Sequence, residues 1–190
     1  MIKSFFFICS ILFVFSGCFS LSSLNPFSEN KETKNFIEIP DNAPAWLKNI
    51  KDENYISTFG VSKIKKNDDL KFTKKKALIF AGNRLSQEIY SKTLRFYKDY
   101  EESLTNSNLF DKDLEKLAKE VSIKSLSKSI IKNTWIDENK VLYVKISISS
   151  DFVAQEIQSG SKQLFKVDKD LYSNILSNRA KEKIIKYLEE

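Results

Sequence analysis

The 190-residue sequence contains no histidine, only two cysteines and only one methionine, Met1. Dyads and triads with a histidine base are therefore excluded, as are zinc sites with histidine ligands. The four glycines are isolated, so no glycine-rich phosphate loop is present. Adjacent carboxylates such as Asp68 and Asp69 do not face each other on a helix and are poor acid/base pairs. We expect no enzyme activity, no cofactor and no metal, although Asp, Glu, Lys and Tyr side chains remain formally able to catalyse reactions.

The sequence also has no apolar run long enough for an ordinary transmembrane helix. Residues 5–15 are largely apolar, shorter than the ~20 residues that a spanning helix needs. A short run after Lys3 is typical of a secretory signal peptide. The following residues resemble a relaxed lipobox, the site where bacterial lipoproteins are cleaved and lipidated: Phe15, Ser16, Gly17 and Cys18. This resemblance predicts a lipid on the Cys18 thiol; the alternatives are a signal peptide cut elsewhere or an uncleaved anchor.

Four segments are predicted from the changes in composition along the chain. Residues 1–17 form the signal peptide, and residues 18–40, which are polar and contain Pro26, form a flexible tether. Residues 41–158 form the folded domain, and residues 159–190 form a C-terminal helical extension. Cleavage before Cys18 would remove Cys9 and leave one cysteine, whose lipid would exclude a disulfide.

The domain is predicted to begin with a strand over residues 55–64 and a long helix over about 70–100. One apolar stripe of this helix is expected to pack on a sheet. A second stripe includes four side chains that we interpret as a possible partner-contact face: Phe72, Tyr90, Leu94 and Tyr97. Either the C-terminal helix or a partner, including a second copy of the chain, is expected to cover it.

The rest of the domain is predicted to contain a loop over 103–112, a short helix over 113–120 and a strand over about 125–136. Residues 141–149 alternate between apolar and other side chains, which predicts a half-buried strand antiparallel to its predecessor. The tail over about 169–188 has a helical composition. We therefore expect an α+β fold, with a small antiparallel sheet (strand, long helix, strand, strand) packed on one long helix and an additional C-terminal helix.

This order of elements, together with several short motifs, resembles the LPP20 family of bacterial lipoproteins. The resemblance covers about residues 44–153 and depends on Pro44 and Trp46 at the start of the domain, Gly60 in the first strand, and residues 142–144 in the last. It implies a compact α+β domain and an envelope location, with no catalytic residues. A related module belongs to a periplasmic protein that forms a ring around the flagellar motor. Pro44, Trp46 and Gly60 are expected to be structural.

Two functions from different classes follow as hypotheses. The first is a lipid-anchored interaction or structural module with a protein partner, such as one in an outer-membrane or flagellar assembly. The second is a surface adhesin or a carrier of a small ligand or lipid. Phe19, which follows Cys18, favours the outer membrane, with the domain facing the periplasm or the cell surface. Nucleic acid is not an expected partner. Seven lysines between residues 63 and 76 could contact anionic headgroups or envelope polymers, or form a solvated surface.

Overall fold

The computed structural model describes residues 38–105, 111–164 and 173–190. The predicted signal peptide, Cys18 and most of the predicted tether lie outside the described residues. The predicted α+β class is confirmed. In chain order the elements are α1 (Ala45–Lys48), β1 (Tyr55–Lys63), α2 (Leu70–Thr105), α3 (Asp111–Leu126), β2 (Ile130–Ile136), β3 (Val141–Ser149), α4 (Ser150–Leu164) and α5 (Asn178–Glu189).

The three strands form one antiparallel sheet in the order β1-β3-β2, with β3 in the centre. β1 pairs with β3 along its whole length, from Tyr55 opposite Ser149 to Lys63 opposite Val141. β2 and β3 are joined by a tight turn, in which a carboxylate oxygen of Asp137 accepts a hydrogen bond from the Val141 backbone at 2.7 Å. This turn agrees with the predicted antiparallel pairing.

Helix α2 packs against β1 and β3 on one face of the sheet. Its buried face includes Ala77, Ala81 and Leu85, which meet Ile56, Val144 and Ile146 of the strands in the main core. Gly60 in β1 allows this close approach, because a Cβ atom there would overlap the backbone of Ala77 and Ala81. The small residues on both sides therefore set the distance between helix and sheet.

The prediction that β3 is half-buried is wrong. Every residue from 142 to 148 is buried, including Tyr143, Lys145 and Ser147 on the face away from α2. Two features bury this second face: α1 with its neighbours contributes Ala43, Leu47 and Trp46, and the outer strands contribute aromatic side chains. The alternation assigns the side chains of β3 to the two faces of the sheet correctly. Both faces are covered, however, so the strand is buried on both sides and not half-buried.

The helices after α2 also differ from the sequence prediction. α3 is twice as long as the predicted helix over 113–120, and α4 was not predicted. α4 runs through the predicted boundary between residues 158 and 159. The tail is not one continuous helix over 169–188, since a turn precedes α5 and the Ser177 hydroxyl accepts a hydrogen bond from the Ala180 backbone at 3.1 Å. Within the described ranges, no helix is both long enough and apolar enough to cross a membrane.

Candidate functional site

The four residues of the predicted partner-contact face do not form one exposed surface. Phe72 is exposed, and the Lys76 amino group lies 4.3 Å from the centre of its ring. Tyr90 and Leu94 are half-buried. Tyr97 is fully buried, and its hydroxyl donates a hydrogen bond to the Ile157 carbonyl at 2.9 Å. Burial raises the pKa of the Tyr97 hydroxyl, so this residue belongs to the core and not to a contact face.

Helices α3 and α4 cover the hydroxyl end of Tyr97. The backbone of Gly160 in α4 lies close to the Tyr97 hydroxyl and to Leu117 and Val121 of α3. α5 instead packs on the other apolar stripe of α2, where the rings of Tyr187 and Phe96 are 5.9 Å apart. The sequence prediction missed this arrangement because α4 was not recognised as a helix.

The Tyr187 hydroxyl also donates a hydrogen bond to Asp99 at 3.0 Å. Burial, together with this bond and the negative charge of Asp99, raises the pKa of Tyr187 to about 12. The tyrosine therefore stays neutral at physiological pH and acts as a link between α5 and α2.

The residues that carry the LPP20 resemblance have structural positions. Pro44 precedes α1 as its N-cap residue. Trp46 is half-buried in the apolar cluster on the second face of the sheet. Gly60 contacts the backbone of α2, as described above. That these three residues are structural rather than binding residues stays a prediction.

A polar cluster lies on the same face of the sheet as the aromatic cluster. The amino group of Lys145, whose side chain is only 1% exposed, lies 2.8 Å from a carboxylate oxygen of Asp52. Ser57 donates a hydrogen bond to the other Asp52 oxygen at 3.0 Å, and the hydroxyls of Ser57 and Ser147 are 2.7 Å apart. Sequence alternation places Lys145 on this face, but nothing in the sequence singles out Asp52, which lies 93 residues earlier.

The electrostatics of this cluster favour an ionised Asp52. Burial alone would raise the pKa of this carboxyl, but the hydrogen bonds from Lys145 and Ser57 and the positive charges of Lys145 and Lys132 outweigh burial and lower it. Lys145 is enclosed and its amino group is already bonded, so a substrate atom has no room to approach it. We interpret the cluster as a structural link between the segment before β1 and the central strand.

Replacing Asp52 and replacing Lys145 should lower the free energy of unfolding by unequal amounts. Asp52→Asn leaves the ammonium group of Lys145 buried and unpaired, and we expect unfolding free energy to fall by about 2 kcal/mol at pH 7. Lys145→Met leaves Asp52 partly in contact with water and should cost about 1 kcal/mol or less. Urea unfolding followed by circular dichroism measures both. Equal effects, or a larger effect for Lys145→Met, would contradict this account.

The pH dependence of the same variants follows from the lowered pKa of Asp52. A lowered carboxyl pKa contributes stability that is fully present above the unfolded value of ~3.9 and is lost as pH falls through the folded value. The difference in stability between the wild type and Asp52→Asn should therefore shrink as the pH falls below about 4.

The two outer edges of the sheet differ in how they are protected. At the β1 edge, the guanidinium of Arg84 donates a hydrogen bond to the Phe59 carbonyl at 3.1 Å and lies 4.9 Å from the Phe59 ring centre. Among hydrogen bonds between described residues, none joins a side chain to the backbone of β2. α2 also packs mainly on β1 and β3 and not on β2. Within the residues that the structure describes, the β2 edge is thus the open edge of the sheet.

Three exposed isoleucines lie on this open edge: Ile130, Ile131 and Ile136. The register places Ile131 opposite Ile146 and Ile136 opposite Leu142, on the side of the sheet that carries α2. Ile130 is opposite Ser147 on the other side. The pairing shifts between Ile131 and Asn133, which indicates a bulge at this point of the strand. Both faces of the open edge therefore present apolar side chains, which sequence alternation in residues 125–136 did not reveal.

The structure gives little support for a small-ligand pocket or a metal site. A surface depression of about 170 Å³ is lined by Ser91, Lys92, Arg95, Tyr187 and Glu190, below the ~300 Å³ at which ordinary ligand pockets begin. In the part of the chain that the structure describes, no group of three or more Cys, Asp or Glu residues could hold a metal ion.

The fold and its open edge define a small α+β domain with a candidate strand-pairing surface. No protein-family model matches the chain, and a search of curated proteins finds no match to it. The resemblance to the LPP20 family therefore stays a prediction.

Proposed function

We propose that this protein is a lipid-anchored lipoprotein of the bacterial cell envelope that acts as a non-catalytic protein-interaction or structural module. The lipid on Cys18 would hold it at the outer membrane, with the domain facing the periplasm or the cell surface. One observation carries the interaction role: the open β2 edge presents exposed isoleucines on both faces of the sheet. The resemblance to the LPP20 family supports a more specific version of this proposal, a role in outer-membrane or flagellar assembly.

The physical argument concerns how proteins protect the edges of their sheets. An edge strand has unpaired backbone groups that attract another strand, and most proteins block it with charges, proline or a covering element. β2 contains one lysine, Lys132, and no proline. That lysine turns toward β1, since its amino group lies 3.8 Å from the Tyr55 ring centre. An extended segment of a protein partner could pair with β2 and contact the isoleucines, as in β-strand addition.

The alternative function is an adhesin or a carrier of a small ligand or lipid. A carrier requires space between helix and sheet, but at Gly60 the backbones of α2 and β1 are too close to admit even a methyl group. This contact favours the interaction module over the carrier. For the adhesin, the discriminating measurement is protease digestion of the domain in intact cells, which would indicate surface display.

Photo-crosslinking in cells tests the interaction proposal. A photoreactive amino acid is placed at position 131 or 136, and in a matched control at Ile123. Ile123 is 52% exposed compared with 46% for Ile131, but it lies on α3 and not on the open edge. We expect a defined cross-linked protein from positions 131 and 136, and none from position 123. Mass spectrometry then identifies the partner.

Two further variants make the result decisive. Ile131→Lys should abolish the adduct from position 136, because a charge on the apolar edge opposes strand addition, whereas Ile123→Lys should not. Metabolic labelling with palmitate should mark the wild type and not Cys18→Ser. The interaction role is contradicted if the edge positions yield no adduct, and the lipid anchor is contradicted if the wild type takes up no label.

A further inference from the structure

A second exposed apolar surface lies on the first three turns of α2. Phe72, Ile79 and Phe80 are between 51% and 62% exposed. At about 100° per residue, these three side chains fall within one arc of roughly 100°. Ala77 and Ala81 lie on the buried side of the helix and pack against the sheet. The exposed arc therefore faces away from the core of the domain. We call it the α2 outer face.

Lysines lie within and beside the α2 outer face, although at 100° per residue Lys74 falls on the opposite side of the helix. Between residues 63 and 76 the chain has seven lysines and two aspartates, a local charge of +5, while the net charge of the chain is +6. Lys76 lies within the arc, next to the Phe72 ring, and Lys75 lies beside it. The carboxylate of Asp69 accepts a hydrogen bond from the Lys71 backbone at 3.0 Å, so it serves the start of the helix. The face thus combines large apolar side chains with concentrated positive charge.

We propose that the α2 outer face binds the surface of a bilayer that contains anionic lipids. Phe and Ile side chains on one helical arc are suited to the boundary between headgroups and acyl chains, and flanking lysines are suited to anionic headgroups. A second copy of the chain would bring the two sets of lysines together, and their repulsion opposes that occupant. The binding orients the domain on the membrane and leaves the open β2 edge available to a partner. It does not depend on the lipid at Cys18.

Vesicle co-sedimentation tests this proposal with a protein that cannot be lipidated. The chain from residue 18 onward, with Cys18→Ser, is mixed with vesicles of phosphatidylcholine alone or with one third phosphatidylglycerol. We expect binding to the anionic vesicles that weakens strongly when salt is raised from 0.1 to 0.5 M, because exposed charges are then screened over about 4 Å rather than about 10 Å. Equal binding to both vesicles would overturn the role of the lysines.

Matched variants distinguish binding by the α2 outer face from the nonspecific attraction of a basic protein to anionic lipids. Lys76 lies within the arc and Lys71 and Lys75 are exposed on the side next to it, so replacing all three by Gln should weaken partitioning at least tenfold. Replacing Lys112, Lys116 and Lys162, which are exposed on α3 and α4, changes the net charge equally and should weaken it less than about twofold. Equal losses from the two triple variants would overturn the proposal.

The apolar part of the surface has its own variant. Ile79→Gln with Phe80→Gln should lower partitioning about tenfold or more, because two large apolar side chains no longer enter the interface. The melting temperature of each variant shows that its fold is retained. Absence of vesicle binding by the parent chain, combined with self-association that this double variant removes, would overturn the proposal and assign the surface to a second copy.

Discussion

Gly60→Ala is expected to lower the free energy of unfolding by about 3 kcal/mol or more. The added methyl group would overlap the backbone of Ala77 and Ala81 in α2. Backbone atoms cannot rotate away as a flexible side chain can, so the helix must move off the sheet and loosen the main core. Urea unfolding of the purified domain, followed by circular dichroism, measures the loss.

Gly82→Ala is the matched control, because Gly82 lies on the same helix that Gly60 contacts. A Cβ atom at position 82 would lie 3.5 Å from a Leu126 methyl group, which is ordinary van der Waals contact. Glycine within a helix is less favourable than alanine by roughly 0.5–1 kcal/mol, so this variant should be neutral or more stable. A neutral Gly60→Ala would show that the helix–sheet contact is not tight.

Removing residues 173–190 is expected to destabilise the domain by about 5 kcal/mol or more, enough to unfold a protein of ordinary stability. Three apolar side chains of this segment are fully buried: Ile175, Ile184 and Leu188. Full burial of each such side chain contributes about 1.5–3 kcal/mol. The segment also contributes the Ile175 carbonyl, which accepts a hydrogen bond from the Gln158 side chain at 2.8 Å. An unchanged melting curve would contradict this role.

A point substitution keeps the test quantitative if the shortened chain does not fold. Ile184→Ala should lower the free energy of unfolding by about 2–4 kcal/mol, since it removes apolar contact and leaves a cavity. Lys183→Ala, one position earlier on the exposed side of α5, should change it by less than about 0.5 kcal/mol. Similar effects of the two variants would mean that α5 is not docked on the core.

The sequence predicts the parts of this fold whose pattern is local. The long helix, the alternation in residues 141–149 and the turn at Asp137 are all set by neighbouring residues, and the structure agrees with each. The burial of Lys145 could not be predicted, because it depends on Asp52 and on the cover that α1 provides from a distant part of the chain. Whether a strand lies at the centre of a sheet depends on residues that are distant from it in the sequence.

The candidate interaction surfaces show the same limit. Phe72 and Tyr97 share a helical stripe in sequence, but α3 and α4 cover only the part of α2 that includes Tyr97. The exposure of Ile131 and Ile136 likewise depends on α2 lying over β1 and β3 and not over β2. The lysines near residue 70 were visible in the sequence, whereas the apolar arc among them became evident only when the covering elements were known.

The position of β3 between β1 and β2 also affects when the protein can fold. Ser57 and Ser147 are neighbours in the sheet although 90 residues separate them in the chain. At roughly 5–20 residues per second, a ribosome needs several seconds or more to make that stretch. β1 has no strand to pair with during this time, and closure of so long a loop slows folding further. The sheet therefore cannot be completed until β3 has been synthesised, late in translation.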